Sequence, residues 1–265
     1  MNNKRDLTPE YLQQRPLTAR NLQDFQLCPQ KYLLSLSVAP AETRRFIGGP
    51  AALQGAVRGA LIACYRHGGP QKLSQQSLLD LFEQYWEGEL CADSLEERQL
   101  YQRGRKMLAN YYQAHHQTPN QTIATDLRLV GEIAGHNFVA VADRVDRDES
   151  GMITLLRYKT SASPPGPAAL AKDISAGLLL LLGVHHYAPQ PCQTAIYALR
   201  RQRLIIADID ADQRQWLREQ IVALADEVHS AQDFPTQTGQ HCRWCRSRAQ
   251  CPAWASAHYQ RGESQ

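Results

Sequence analysis

Three cysteines crowd one C-terminal stretch as Cys242-x2-Cys245-x5-Cys251-Pro252, and a fourth, Cys28-Pro29, stands alone more than 200 residues upstream. Four soft thiolates that converge on one metal centre would staple the two ends of the chain together, so this pattern constrains the fold more than any other feature. A disulfide framework is disfavoured, because the seven cysteines are odd in number and no hydrophobic leader opens the sequence. Zinc ribbons and fingers usually take their ligands as two close pairs, whereas this chain offers one plus three. An iron–sulfur cluster on Cys28, Cys242, Cys245 and Cys251 is therefore the leading expectation, with structural zinc and unligated thiols as the alternatives.

The 265 residues are enough to bury a sizeable core. The 29 basic and 26 acidic residues give a net charge of +3, too mild to demand a polyanionic partner but compatible with a local basic patch. The longest apolar run, Ala176 to Val184, is too short to span a bilayer, so no membrane association is expected. Thiols, a cluster and the absence of a leader together predict a cytoplasmic protein.

Along the chain, residues 1–16 are polar and expected to be loose. Thr18 is a candidate N-cap for a helix to about Leu36, in which Cys28-Pro29 marks a kink or a junction of two short helices. Further helices are predicted at about Ala51–Arg66, Ser74–Glu87 and Ser94–His116. The period then changes: Thr122–Glu132, His136–Val145 and Met152–Lys159 read as strands, with Asp148-Glu149-Ser150-Gly151 as a hairpin turn. Leu170–His186 reads as a helix apolar enough to be buried. Thr194–Leu199 and Arg203–Ile209 form a strand pair, and Asp212–Ala231 is an amphipathic helix with Asp212 near its N-cap. The expected fold class is α/β, a mixed central sheet flanked by helices. One domain is expected over 17–254, with a helical part at 17–117, a sheet core at 118–211, a closing helix and cluster segment at 212–254, and a tail at 255–265.

This order and the cysteine spacing resemble the PD-(D/E)XK nuclease superfamily, in particular its RecB-like exonuclease branch. That branch includes the CRISPR-associated RecB-like exonucleases and the nuclease domain of AddB-type helicase-nucleases. The resemblance runs from Leu17-Thr-Ala-Arg-Asn-Leu-Gln-Asp-Phe-Gln-Leu-Cys28-Pro29-Gln-Lys-Tyr32, through Val141-Ala-Asp143-Arg144-Val145-Asp146 and Tyr158-Lys159-Thr160, to Cys242-Arg-Trp-Cys245 and Cys251-Pro252. It implies a restriction-endonuclease-like sheet, a 4Fe-4S cluster on the four cysteines, and DNA cleavage through Mg or Mn held by carboxylates on adjacent strands.

The residues that carry family chemistry are where this chain departs. The first family carboxylate survives as Asp143 and the lysine as Lys159, but Arg157 stands where an acidic ligand is expected, and Arg58 where helix two usually supplies a histidine. A guanidinium stays protonated and cannot coordinate a cation. The family's Gln-x3-Tyr helix motif has no counterpart in Asp173–Leu181. Gln193–Tyr197 matches it only as letters, inside a β-patterned run.

The resemblance with these departures predicts a DNA-binding or scaffolding protein in repair, recombination or defence, with cleavage impaired. Arg58, Arg157 and Lys159 would form a cationic phosphate pocket, and Arg200, Arg201 and Arg243 would extend it for single-stranded DNA or DNA ends. A helicase or defence complex is the expected protein partner. One alternative is an active metal-dependent exonuclease built on Glu132, Asp143 and Lys159. Another is a non-catalytic structural or redox subunit in which Leu180 and Leu181 face a partner. Trp244 is expected to pack over the cluster, with base stacking as the alternative.

Overall fold

The computed structural model describes residues 14–37 and 48–254. The tail at 255–265, and most of the segment 1–16, lie outside the described residues. Within the span expected as one domain the chain packs as two compact units. The first gathers residues 14–37, 132–138 and 219–254, and the second residues 48–131 and 139–218.

The second unit carries a mixed sheet. Its strands, β1 (Thr122–Ile133), β2 (His136–Arg147), β3 (Ile153–Lys159), β4 (Cys192–Ala198) and β5 (Arg203–Ile206), lie in sequence order across the sheet, and the first two extend into the other unit. β2 and β3 form the expected hairpin, with Arg144 opposite Leu156 and Arg147 opposite Ile153. Its turn is closed by Asp148, whose Oδ1 accepts from the amides of Ser150 and Met152 at 2.9 Å each, while Gly151 takes φ +84°, a left-handed conformation that favours glycine. β3 and β4 run parallel from Ile153–Cys192 to Lys159–Ala198. A parallel pair needs a crossover, and the apolar stretch after β3 provides it.

That crossover is two helices rather than one: α6 (Pro167–Leu170) and α7 (Ile174–Tyr187). The break falls at Asp173, which caps α7 by accepting from the Ala176 amide at 2.8 Å. The leucines of α7 turn inward, with Leu178, Leu179, Leu180 and Leu182 all buried. Gly183 permits this close approach, since a Cβ there would sit 2.1 Å from a methyl carbon of Leu155 on β3. This corrects the partner-facing reading of the helix: Leu180 is only 4% exposed and belongs to the core.

The other face is covered by α3 (Gly49–Arg66), α4 (Gln75–Gln84) and α5 (Ser94–His115). Leu53, Val57 and Leu61 of α3 pack with Phe82, Leu108 and Tyr111 onto Leu156, Tyr158 and Tyr197 of the sheet. The caps explain the boundaries. Ser74 accepts from the Ser77 amide, and Asp93 from those of Leu95 and Glu96. At α8 (Ala211–Ser230) the cap is Asp210, accepting from the Gln213 amide at 2.7 Å, and not the expected Asp212. β5 ends at Ile206, three residues short of expectation, where the chain turns off to that cap.

In the first unit, α1 (Ala19–Leu27) opens on a capping box between Thr18 and Asn21. Cys28 is its C-cap and Pro29 starts α2 (Pro29–Ser37), so the Cys-Pro step is a junction between two helices. Proline at a first helical position costs nothing, because its missing N–H would be unpaired there anyway. Phe25, Tyr32 and Phe234 form an aromatic knot with ring centroids 5.8, 6.1 and 6.2 Å apart. The Gln30 amide donates to the Pro235 carbonyl at 3.3 Å. Among the described residues, no helix is long and apolar enough to cross a membrane.

Candidate functional site

The carboxylate expected from the resemblance, Asp143, is buried and already engaged. Asp143 on β2 is 4% exposed. Its Oδ1 accepts from Arg58 Nε at 2.6 Å, and its Oδ2 from the Tyr158 amide at 2.8 Å. Arg58 extends from α3 and also donates through Nη2 to Asp126 Oδ1 at 2.7 Å, where Arg66 Nη2 adds a longer contact to the second oxygen at 3.4 Å. Burial opposes the charge on Arg58, but Asp143 and Asp126 outweigh it and raise its pKa further. The guanidinium thus sits between two carboxylates.

Helix α3 is fixed to the sheet one turn earlier. Gln54 Nε2 donates to the Tyr158 carbonyl at 2.9 Å, and its Oε1 accepts from the Thr160 amide and hydroxyl at 3.0 Å each. Residues four apart share a helix face, so Gln54 sets the register in which Arg58 meets Asp143. The Tyr158 peptide is held from both ends, its N–H by Asp143 and its C=O by Gln54.

Lys159 and Arg157 are two apart on β3 and both half-buried. Burial, then the neighbouring charge of Arg157, lowers the Lys159 pKa, while Asp173 and Asp143 oppose the shift. Arg157 turns to α7, where Nη1 donates to Ser175 Oγ. Of the three cations expected to converge, Arg58 contacts Asp143, Arg157 is tied to the crossover helix, and Lys159 feels the charges of Asp173 and Asp143 without an ion pair to either among those observed. Glu132 is exposed at the far end of β1 and belongs to the first unit. Arg200, Arg201 and Arg203 lie exposed around the β4–β5 turn, with Arg200 Nε on the Thr160 carbonyl at 2.9 Å.

Asp126, Gln54 and Ser175 escaped the sequence reading. A signal existed for two of them. Gln54 precedes Arg58 by one helical turn, and Asp126 is an acid within a β-patterned run, where it takes φ +51°. Tyr197 lies on β4 with its hydroxyl against His115 Nε2 at 2.8 Å, which removes it from any helix motif. Beneath the site, Arg144 is buried in a cage of tyrosines. Its guanidinium lies 4.3 Å from the Tyr65 ring and donates to Tyr111 Oη at 2.6 Å and to Asp146 at 2.7 Å.

A magnesium or manganese ion does not fit this arrangement. Such ions need several oxygen ligands, and here both oxygens of Asp143 already accept hydrogen bonds while Arg58 separates it from Asp126.

The cysteines lie in the first unit. Cys28, Cys242, Cys245 and Cys251 are free thiols and line one cavity of about 290 Å³ together with Lys31, Gln237, Gly239 and Trp254. The Gln237 amide donates to Cys28 Sγ and the Gly239 amide to Cys242 Sγ, each at 3.4 Å. N–H groups aimed at sulfur suit thiolate ligands of a cluster, so the donor set fits an iron–sulfur centre. The sulfurs ring the cavity wall; among the described residues no three His, Cys, Asp or Glu side chains close on a single ion position. Burial raises the Cys245 pKa, with the Ser247 amide and Lys31 acting against it. Lys31 is held by the buried Asp24 at 2.7 Å. Trp244 does not pack over this cavity: it is 77% exposed, and Trp254 takes the lining position.

No curated protein matches the chain. Among solved structures, that of a candidate exonuclease from Eubacterium rectale aligns with a TM-score of 0.50 at 10% identity, covering 97% of this chain and 92% of the other. The structure of SSO0001 aligns with a TM-score of 0.37 at 17% identity over 76% and 84%. The sequence model of the PD-(D/E)XK nuclease superfamily matches residues 16–252, nearly the whole described chain. With its five-stranded mixed sheet flanked by helices, this chain belongs to the PD-(D/E)XK nuclease superfamily.

Proposed function

We propose that this protein is a RecB-like, iron–sulfur-stabilised member of the superfamily that binds DNA and has lost metal-dependent cleavage. It would serve a repair, recombination or defence complex. The observation that carries the reading is the Arg58–Asp143 ion pair at 2.6 Å. In a cleaving relative a metal would polarise the phosphate and lower the pKa of water. Here a protonated guanidinium occupies the carboxylate, and it supplies positive charge without an open coordination position. Lys159, and the N–H groups of Arg58 and Arg66 that are not directed at Asp143 or Asp126, would instead offer donors to phosphodiester oxygens.

Cys28, Cys242, Cys245 and Cys251 would hold a 4Fe-4S cluster. Bound there, it would crosslink α1–α2 to the C-terminal segment. The Gln30–Pro235 bond and the Phe25, Tyr32 and Phe234 knot already join these parts, which supports a structural role for the cluster.

The test is incubation of anaerobically purified protein with labelled single- and double-stranded DNA in manganese, alongside binding measured from about 50 to 300 mM salt. Binding that weakens steeply with salt, without cleavage, is the expected result. Cleavage abolished by Asp143→Ala would establish the active-exonuclease reading instead, with the metal displacing Arg58. No binding at the lowest salt, with the cluster intact, would point to a purely structural subunit.

A further inference from the structure

We infer that the segment carrying the last three cysteines is a base-stacking platform for single-stranded nucleic acid, with Trp244 as its aromatic surface. The inference rests on the DNA-binding reading above and adds to it a second contact surface and a strand preference.

Trp244 closes the short 3₁₀ turn Gln240–Trp244 and is 77% exposed, the most exposed large hydrophobic side chain among the described residues. An indole in water without structural duty is costly, since burying a large aromatic is worth more than burying almost any other side chain. Trp254, ten residues on, shows what a structural tryptophan does here: it lines the cysteine cavity, and Arg248 sits over its ring at 5.9 Å. Trp244 has no such position.

The local charge selects the partner. From Phe234 to Trp254 the chain contains Arg243, Arg246 and Arg248 and no aspartate or glutamate. Arg243 is exposed beside Trp244, and Arg248 donates to the Arg243 carbonyl at 2.9 Å, which braces the loop. Arg246 is half-buried, its pKa lowered by burial and by Arg20, with Asp24 opposing, so its charge belongs to the support and not to the surface. An exposed indole with cations beside it, on a segment that carries no acidic residue of its own, matches a strand whose unpaired bases stack while its phosphates meet arginine. A duplex end has its bases already stacked and offers less to such a surface. The Cys242 amide donates to the Gly239 carbonyl at 3.1 Å and the Cys245 amide to the Cys242 carbonyl at 3.2 Å, so the backbone that carries Trp244 is braced before a base arrives.

The experiment compares full-length Trp244→Ala, Trp244→Phe and Arg243→Ala with wild type, each checked for cysteine-bound iron. Binding of a fluorescent oligothymidylate and a blunt duplex is read by anisotropy over a salt series. Trp244→Ala should weaken oligothymidylate binding roughly ten-fold or more with its salt slope unchanged, because stacking releases no counterions. Trp244→Phe should keep most of the affinity. Arg243→Ala should make the slope shallower by about 0.7. Unchanged oligothymidylate affinity in Trp244→Ala, or equal losses on oligothymidylate and blunt duplex, overturns the inference. Wild-type protein that binds neither probe at low salt defeats the DNA-binding reading itself, and Trp244 then marks a protein contact.

Discussion

Arg58 on α3 and Asp143 on β2 meet at 2.6 Å across 85 positions of sequence, and the arginine reaches on to Asp126 with its second nitrogen. The pair couples helix to sheet at the carboxylate that the proposed function takes as the former metal site. A basic side chain there both neutralises the buried carboxylate and excludes a competing cation.

Removing that arginine should expose the exchange directly. Arg58→Ala leaves Asp143 buried with the Tyr158 amide as its remaining donor, and the expected loss of stability is about 1–3 kcal/mol in urea unfolding. Manganese should raise the midpoint of Arg58→His combined with Arg157→Asp, and leave wild type unmoved. A wild-type midpoint that rises with manganese would contradict the reading of the site.

The cluster residues make a second, independent test. Anaerobically purified protein should carry about four irons with a broad absorbance near roughly 400 nm. Cys28→Ala should lose them and loosen both ends of the chain together. Cys192→Ala, which changes a thiol outside the cavity, should retain the iron in full. Zinc in the wild type, or full iron in Cys28→Ala, would defeat the assignment.

Gln54 tests whether the helix is registered by its amide. Gln54→Leu leaves the Tyr158 carbonyl and the Thr160 amide without their partner. A loss of about 1–3 kcal/mol is expected, since an unsatisfied buried group costs its desolvation. Weaker DNA binding should accompany it, because Arg58 is then free to shift. Stability within a few tenths of wild type would show that packing by Leu53 and Val57 alone sets the register.

The histidines predict an acid-sensitive fold. Burial, then the charge of Arg144, holds the His115 pKa down to about 4, and burial with His136 lowers that of His229. Both groups are neutral in the folded state at a pH where the unfolded chain, with its ordinary value near about 6.5, takes up protons. Their contribution is therefore complete above about pH 6.5 and declines as pH falls toward 4. Urea midpoints across that window should fall, and His115→Gln should flatten the fall by up to one proton's worth of slope. An unchanged slope would mean that His115 titrates alike in both states.

The sequence by itself determined the elements and the thiol set. Thr18, Ser74 and Asp93 cap where a short hydroxyl or carboxylate can satisfy free amides, the hairpin turn follows from Asp148 and Gly151, and Cys28-Pro29 marks a junction because proline cannot continue the preceding turn. These are local effects, decided within a few residues. The change of period after His116 marks the sheet for the same reason, whereas the crossover reads as one helix and is two.

Only the tertiary structure decided how the charges pair. Nothing along the chain says that Arg58 turns to Asp143 and Asp126 while Arg157 turns to Ser175, because a long guanidinium finds its partner among elements brought together by burial of Leu53, Val57, Leu156 and Tyr158. The tyrosine cage of Arg144 and the outward Trp244 are hidden for the same reason: exposure and pairing belong to packed surfaces, and a sequence pattern fixes which residues are present but not which atoms the fold leaves facing water.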